Sequence, residues 1–416
     1  MVKCGPFIVA AGTSTRSQVE IQRQARHAIW PNSARFSGSG PSLPAQLTAD
    51  CCRQSTRFSG ASCSISPMAS STPSKMQYVR LGNSGLKVSR IILGCMSYGT
   101  PEWQAWVLPE EEGLKHIKAA YDAGINTFDT ANVYSNGLSE VVLGKAIKQF
   151  NLPRDEIVVM TKASSTIFLL YFVVGREPNV AFLNPADNPD NAGYCNQHGL
   201  SRKHIFDSVK HSLKRLQLDY IDVLQCHRFD KETPIEETMQ ALHDVVKAGY
   251  VRYIGMSSCW AYQFSAMQNY AIQNNLTPFI SMQNHYSLVY REEEREMFPT
   301  LKHFKVGSIP WSPLGRGLLT RPISEQSKRG AVDRHGFATR TTKMIKSYAN
   351  DASTSIVNRV EELSKKKGAR VTAPIVGSTS LENLRELIAA VNIELTEEEM
   401  KYLEEPYQPR NIIGHS

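Results

Sequence analysis

From residue 76 onward, short runs of nearly continuous apolar residues alternate with longer stretches in which apolar positions recur every three or four residues. The runs are Arg90 to Gly94, Asn126 to Thr130, Ile157 to Lys162, Tyr220 to Cys226, Val251 to Met256, Phe279 to Gln283, Gly307 to Trp311 and Thr372 to Val376. Segments apolar at consecutive positions are what parallel strands buried on both faces require, and stretches such as Glu110 to Asp122 and Ile235 to Lys247 carry the helical period. Eight strands alternating with helices predict an α/β fold of the (β/α)8 TIM barrel type over residues 76 to 416. A doubly wound sheet would also alternate, but it brings a GxGxxG turn after its first strand, and no GxGxxG occurs in the chain.

Two places interrupt the rhythm. Ala163 to Leu200 forms a long connection rich in Pro, Gly and Asn, placed after the C-terminal end of a predicted strand, the face on which barrels carry their sites. Later, the helix predicted from Ser353 to Lys367 is joined to the last strand by only Gly368 to Val371. Residues 1 to 75 are rich in Ser, Arg, Ala and Pro and lack an apolar period, so they are expected to form a disordered N-terminal extension. A transit segment has that Arg-rich, acid-poor composition; an extension without a role is the simpler account. The expected location is cytoplasmic, or mitochondrial if the extension acts as a transit peptide.

Charge changes the picture only once it is divided. The chain carries a net +8, but residues 1 to 75 hold eight Lys and Arg against Glu20 and Asp50, so the body is close to neutral. A body so balanced lacks the basic footprint of nucleic-acid binding. Four of the eight cysteines, Cys4, Cys51, Cys52 and Cys63, lie in the extension, and Cys95, Cys195, Cys226 and Cys259 are scattered without CxxC spacing. That spacing argues against a disulfide framework and against a structural metal site. The longest apolar run, Ile167 to Val174, is far too short to span a bilayer, and a soluble protein without a membrane partner is expected.

The chemistry collects at three successive predicted strand ends. The second strand closes on Asp129 and leads to Tyr134, the third closes on Lys162, and the fourth runs into His227. A Lys ending an apolar run is buried at a cost unless it is paired, and Asp129 is the natural partner. Singly, each residue has a structural explanation, because a lone His after a strand or a lone Tyr in a loop is ordinarily packing. Together on one rim, an acid, a phenol, an amine and an imidazole point to proton transfer. An ammonium beside a phenol stabilises the phenolate and is expected to lower the Tyr134 pKa toward neutrality. A second candidate lies after the last strand, where Gly377, Ser378, Thr379 and Ser380 lead into a helix whose N-terminus would bind an anion; Ser380 would also serve there as a simple cap.

The stretch FDTANVYSNGLSE from Phe128 to Glu140, followed by MTK, LDYIDVLQCHRFD, GMSSCW, SMQNHYS, WSPLGRGLL and PIVGSTSLENLRE, resembles the aldo-keto reductase superfamily, most of all its fungal versiconal hemiacetal acetate reductase and aryl-alcohol dehydrogenase-like members. The resemblance implies NADPH-dependent reduction of a small-molecule carbonyl substrate on a barrel, with a catalytic tetrad of Asp129, Tyr134, Lys162 and His227. It also implies that Ser257, Ser258 and Gln283 hold the nicotinamide carboxamide, that Trp311 stacks on the nicotinamide, and that Ser312, Leu314 and Arg316 follow the pyrophosphate. Thr379, Asn383 and Glu386 would meet the adenosine phosphate, beside Gly377 and Ser378 of the anion site, while Leu387 stands where the superfamily usually has Asn. Met96 would wall the substrate pocket, a position that packing explains as well. Two further departures are a helix lacking before Val371 and extra sequence at Ser164 to Leu170. A homo-oligomer is left open. Some members of the superfamily are regulatory subunits, so a non-catalytic NADP-binding protein is the alternative; a short-chain dehydrogenase is disfavoured because Y-x-x-x-K is absent.

Overall fold

The computed structural model describes residues 76–163, 190–191, 194–325, 348, 350–367 and 375–415. The expected disorder of 1–75, the extra sequence at 164–170 and the join at 368–371 lie outside these residues. In chain order the strands are β1 (Tyr78–Arg80), β2 (Lys87–Ser89), β3 (Ile92–Gly94), β4 (Tyr98–Gly99), β5 (Leu108–Pro109), β6 (Thr127–Asp129), β7 (Val158–Ala163), β8 (Ile221–Cys226), β9 (Val251–Ser257), β10 (Phe279–Gln283), β11 (Gly307–Ser308) and β12 (Ile375–Val376). The helices are α1 (Glu110–Asp122), α2 (Leu138–Gln149), α3 (Arg202–Leu216), α4 (Ile235–Lys247), α5 (Ala261–Gln273), α6 (Met297–Phe304), α7 (Asp351–Lys367), α8 (Leu381–Ala389) and α9 (Glu397–Glu404).

Eight strands form one parallel sheet in the order β11, β10, β9, β8, β7, β6, β3, β12, so the strand formed last lies against the first of the eight. Each strand divides its side chains between two cores, as the pleat demands. Ile92, Val158, Val223 and Ile309 point into the barrel, whereas Leu93, Phe128, Val159 and Leu224 point outward against Ile117, Leu143, Ile205 and Leu242 of the surrounding helices. This two-sided burial is why the strands read as continuous apolar runs, and the fold is the (β/α)8 barrel. Helices α1 and α4 occupy the spans that the helical period predicts.

Three features depart from the sequence expectation. The antiparallel hairpin β1–β2 precedes the barrel and sends Leu81 and Val88 into its interior core, plugging one end. At its turn, a Cβ on Gly82 would stand 2.6 Å from the backbone nitrogen of Gly307, an approach that only glycine allows. The seventh run, expected from Gly307 to Trp311, is regular only at Gly307–Ser308. Bonds toward β10 nevertheless continue through Ile309 N to Met282 O at 2.9 Å and Trp311 N to Asn284 O at 2.8 Å, while Pro310 between them has no N–H to offer on the opposite side. Finally, α7 and α9 share a separate apolar cluster that includes Tyr290, Ile356, Val360 and Leu403. Among the described residues, no helix is long and apolar enough to cross a membrane.

Candidate active site

The C-terminal ends of β6, β7 and β8 bring the expected acid, amine and imidazole to one rim. Lys162 is wholly buried, and its ammonium donates to Asp129 Oδ2 at 2.7 Å, to the carbonyl of Thr130 at 2.7 Å and to the Tyr134 hydroxyl at 3.3 Å. Three acceptors satisfy its three protons, as burial of a charge requires. Burial by itself would strip the proton from Lys162, but Asp129 and Tyr134 together outweigh it and hold the pKa above the ordinary lysine value. Asp129 is fixed in turn: its Oδ1 accepts from the side-chain amides of Gln225 at 3.0 Å and Gln283 at 2.9 Å.

Tyr134 follows β6 on a turn of unusual shape. The next residues, Ser135 (φ 48°), Asn136 (φ 52°) and Gly137 (φ 90°), are all left-handed before α2 begins at Leu138. Two non-glycine residues in that region cost roughly 1–2 kcal/mol each, so the turn must be held by its surroundings. Ser135 Oγ accepts from Thr100 N at 3.3 Å, and Ser139 Oγ joins the Thr130 hydroxyl at 2.8 Å and donates to the Cys95 carbonyl at 2.8 Å. The net shift of Tyr134 reverses the sequence expectation. Lys162 does favour the phenolate, but burial is the larger influence and lifts the phenol above its ordinary value.

His227 lies just beyond β8, where its backbone N–H donates to the Ala163 carbonyl at 2.9 Å. Its ring meets that of Tyr134 edge to face, with centroids 5.9 Å apart. Burial, assisted by the positive charges of Arg228 and Lys162, drives its pKa well below the usual histidine value, so the imidazole is neutral. Its Nδ1 is buried without a hydrogen-bond partner among the described residues.

A second group gathers at the ends of β9 and β10. Ser257 Oγ and Ser258 N both donate to the Gln283 carbonyl, at 2.7 and 3.2 Å, and Ser258 Oγ accepts from Trp311 Nε1 at 2.9 Å. Gln283 links this group to the first through its bond to Asp129. Trp311 lies parallel to the buried His285 ring at 4.2 Å and 9°, and His285 stacks in turn on Tyr290 at 4.0 Å. The guanidinium carbons of Arg228 and Arg316 each lie 5.8 Å from the Trp311 ring. Ser312 (φ 53°), Leu314 and Arg316 (φ 58°) continue the loop after Trp311.

The third group stands apart, at the start of α8. A Cβ on Gly377 would lie 2.9 Å from the Gly94 carbonyl, which keeps this turn tight against β3. Ser378 Oγ bonds within the turn, donating to Ser380 O at 2.9 Å and accepting from Ser380 N at 3.1 Å, and Ser380 caps the helix by accepting from Asn383 N. Thr379 is half-buried, Asn383 is exposed and Glu386 half-buried, while Leu387 is buried in the core, which accounts for its apolar identity.

The burial of two histidines predicts acid sensitivity. His204 and His285 are almost fully buried, and burial pushes the first down to about 4 and the second well below the ordinary value. The unfolded chain then binds more protons than the folded one below pH 6.5, so stability present above that pH is lost on acidification, by up to about 1.4 kcal/mol per pH unit for each group. Urea unfolding at pH 5.5 should therefore give a stability at least about 2 kcal/mol lower than at pH 7.5. Equal values at the two pH would show that these rings accept protons without cost.

Several participants were not legible as such. Gln225 orients Asp129, His285 backs Trp311, and Glu140 forms a buried pair with Arg215 at 2.6 Å. The signal available for Gln225 was a buried polar residue next to the apolar Val223, Leu224 and Cys226 at the C-terminal end of its strand.

Comparison with known proteins identifies the family. The model of the Aldo/keto reductase family matches residues 90–408. A versiconal hemiacetal acetate reductase from Aspergillus parasiticus is 45% identical over 350 residues, covering 81% of this chain and 98% of its own length. The aldo-keto reductase AFTS1 of Alternaria alternata is 43% identical over 373 residues, 85% of this chain and 97% of its own. The aldo-keto reductase dtxS3 of Metarhizium robertsii is 46% identical over 363 residues, 82% and 94% respectively. With a barrel of the expected strand order, a buried Asp–Lys pair reaching a tyrosine, and a family match across three quarters of its length, this chain belongs to the aldo/keto reductase family of carbonyl-reducing oxidoreductases.

Proposed function

We propose that the chain uses NADPH to reduce aldehyde or ketone groups of small organic or polyketide-like substrates to alcohols, with Tyr134 as the proton donor. The observation that carries this reading is the Tyr134 hydroxyl, 3.3 Å from an ammonium that Asp129 and the Thr130 carbonyl hold in place. Bound NADPH supplies the hydride. As negative charge develops on the carbonyl oxygen, Tyr134 gives up its proton, and Lys162 stabilises the phenolate left behind. The neutral imidazole of His227 can donate a hydrogen bond to the same oxygen, aligning the carbonyl before reaction.

The residues at the rim fit the cofactor. Gln283 commits its amide nitrogen to Asp129, which leaves its oxygen to accept from a carboxamide beside Ser257 and Ser258. The indole of Trp311 offers a platform already oriented by Ser258 and His285. Ser312, Leu314 and Arg316 would follow the pyrophosphate, and Gly377, Ser378, Thr379, Asn383 and Glu386 would take the adenosine phosphate at the N-terminus of α8. The Nδ1 of His227, beside Tyr134 and without a hydrogen-bond partner among the described residues, leaves a polar position open to a substrate or cofactor group. The experiment that tests the reading is NADPH consumption by purified protein across a panel of aldehydes and ketones; no consumption with any of them would overturn it.

A preference for NADPH over NADH is expected, because Ser378, Thr379 and Asn383, with the exposed Arg385 in the same helical turn, suit a 2′-phosphate. Catalytic efficiencies measured side by side at moderate salt check this. Equal values with the two cofactors would remove the phosphate role from α8.

A further inference from the structure

We propose that the buried Glu140–Arg215 pair sets where Tyr134 stands relative to Lys162, making both members positioning residues for carbonyl reduction. The inference rests on the reading of Tyr134 as proton donor. Its starting point is the left-handed run Ser135-Asn136-Gly137, which immediately follows Tyr134 and does not hold itself in that shape. The side chain of Arg215, reaching over from α3, lies directly against the turn: a Cβ on Gly137 would stand 2.8 Å from Arg215 Cδ and 2.9 Å from its Nε.

Arg215 is held there by Glu140, three residues past Gly137. The Arg215 Nε donates to Glu140 Oε2 at 2.6 Å, and the pair is all but sealed from solvent, at 5% and 0% side-chain exposure. The other carboxylate oxygen, Oε1, accepts from the Thr161 hydroxyl at 2.6 Å. Thr161 is the residue before Lys162 on β7. One carboxylate therefore ties the turn that carries Tyr134 to the strand that carries Lys162, with Arg215 as the brace beneath the turn. An acid in the first turn of α2 would favour the helix dipole from the surface just as well. Complete burial with both oxygens bonded serves a different end, because buried ion pairs contribute little net stability while their directional bonds fix a geometry.

Two variants separate positioning from stability. Thr161→Val keeps both charges and the strand but removes the hydroxyl through which the carboxylate is tied to β7. The double variant Glu140→Met with Arg215→Met replaces the pair by apolar side chains, a change that folded proteins commonly tolerate without loss of stability. The readouts are turnover of 4-nitrobenzaldehyde at saturating NADPH, the NADPH Kd from quenching of intrinsic fluorescence, the thermal midpoint, and the Tyr134–Lys162 separation in crystals. We expect kcat to fall about 10- to 100-fold in both variants, as a misplacement of about 1 Å produces, with the NADPH Kd within about twofold of wild type. In crystals the hydroxyl should leave hydrogen-bond distance of the ammonium while Lys162 stays on Asp129. A loss of kcat accompanied by an equal loss of cofactor affinity and of thermal midpoint would overturn the proposal, as would folded variants with more than half of wild-type turnover. If wild type itself reduces no carbonyl, the proposed function fails, whereas the crystallographic separation still decides whether the pair positions Tyr134.

Discussion

In Tyr134→Phe, carbonyl reduction is expected to fall by about 10²- to 10⁴-fold, the range associated with losing a positioned general acid, while NADPH binds nearly as it does to wild type. The phenylalanine ring keeps the contacts with Trp103 and His227, whose ring centroids lie 6.2 and 5.9 Å from that of Tyr134. What disappears is the hydroxyl 3.3 Å from Lys162. Because burial already lifts the phenol pKa above its ordinary value, Tyr134 holds its proton through the neutral range, as the proposed donor role requires. Steady-state turnover and cofactor titration on the same preparation check the result; retention of more than half the wild-type turnover would move the proton-donor role elsewhere.

The second large effect is on stability. Asp129→Ala leaves the Lys162 ammonium buried with only the Thr130 carbonyl and the Tyr134 hydroxyl as partners, and removing one member of a buried pair costs about 3–5 kcal/mol. The pH dependence of that cost has a definite sign. In wild type the folded-state pKa of Lys162 lies above its unfolded value, so the stabilisation is complete below about pH 10.5 and is lost at higher pH. Removing Asp129 takes away the largest influence that opposes burial, so the folded-state pKa is expected to fall below the unfolded one. The unfolded variant then binds more protons than the folded, and its stability rises with pH. Urea unfolding at pH 7 and 9.5 should show the gap between wild type and variant narrowing at the higher pH. A gap that stays constant would mean that the variant admits water to the ammonium and relieves its burial.

What could be read from the chain, and what could not, divides by the range of the interactions involved. Strands such as Val158–Ala163 and Ile221–Cys226 are buried on both faces, so their character is written in consecutive residues. The three-residue strands Tyr78–Arg80 and Lys87–Ser89 carry no such run; they form because Leu81 and Val88 find the barrel interior, a partner remote in sequence. The same distinction governs the site. Asp129 and Lys162 were legible because a charge closing an apolar strand demands a partner, and the two closures fall on neighbouring strands. Gln225, Glu140 and Arg215 were not, since each is defined by the atom it reaches, across 96 positions for Gln225 to Asp129 and 75 for Arg215 to Glu140. The left-handed turn after Tyr134 was hidden for a related reason. Ser and Asn adopt many backbone shapes, and the contacts that select this one come from Thr100, Cys95, Thr130 and Arg215, all outside the turn.

The pairing of β12 with β3 sets a schedule for the nascent chain. Ile375 lies beside Ile92 and Val376 beside Leu93, so the sheet cannot be completed until residue 376 has left the ribosome. Until then β3 presents a free edge, and the interior residues it shares with Ile375 remain open on that side. Bringing together ends so distant costs loop-closure entropy before any contact rewards it, and contacts of such separation slow folding. An exposed strand edge is also the surface through which incomplete sheets associate with one another. The interval between synthesis of the first barrel strand and the last is therefore the period in which this chain is most exposed to aggregation, and the one in which a chaperone would have the most to protect.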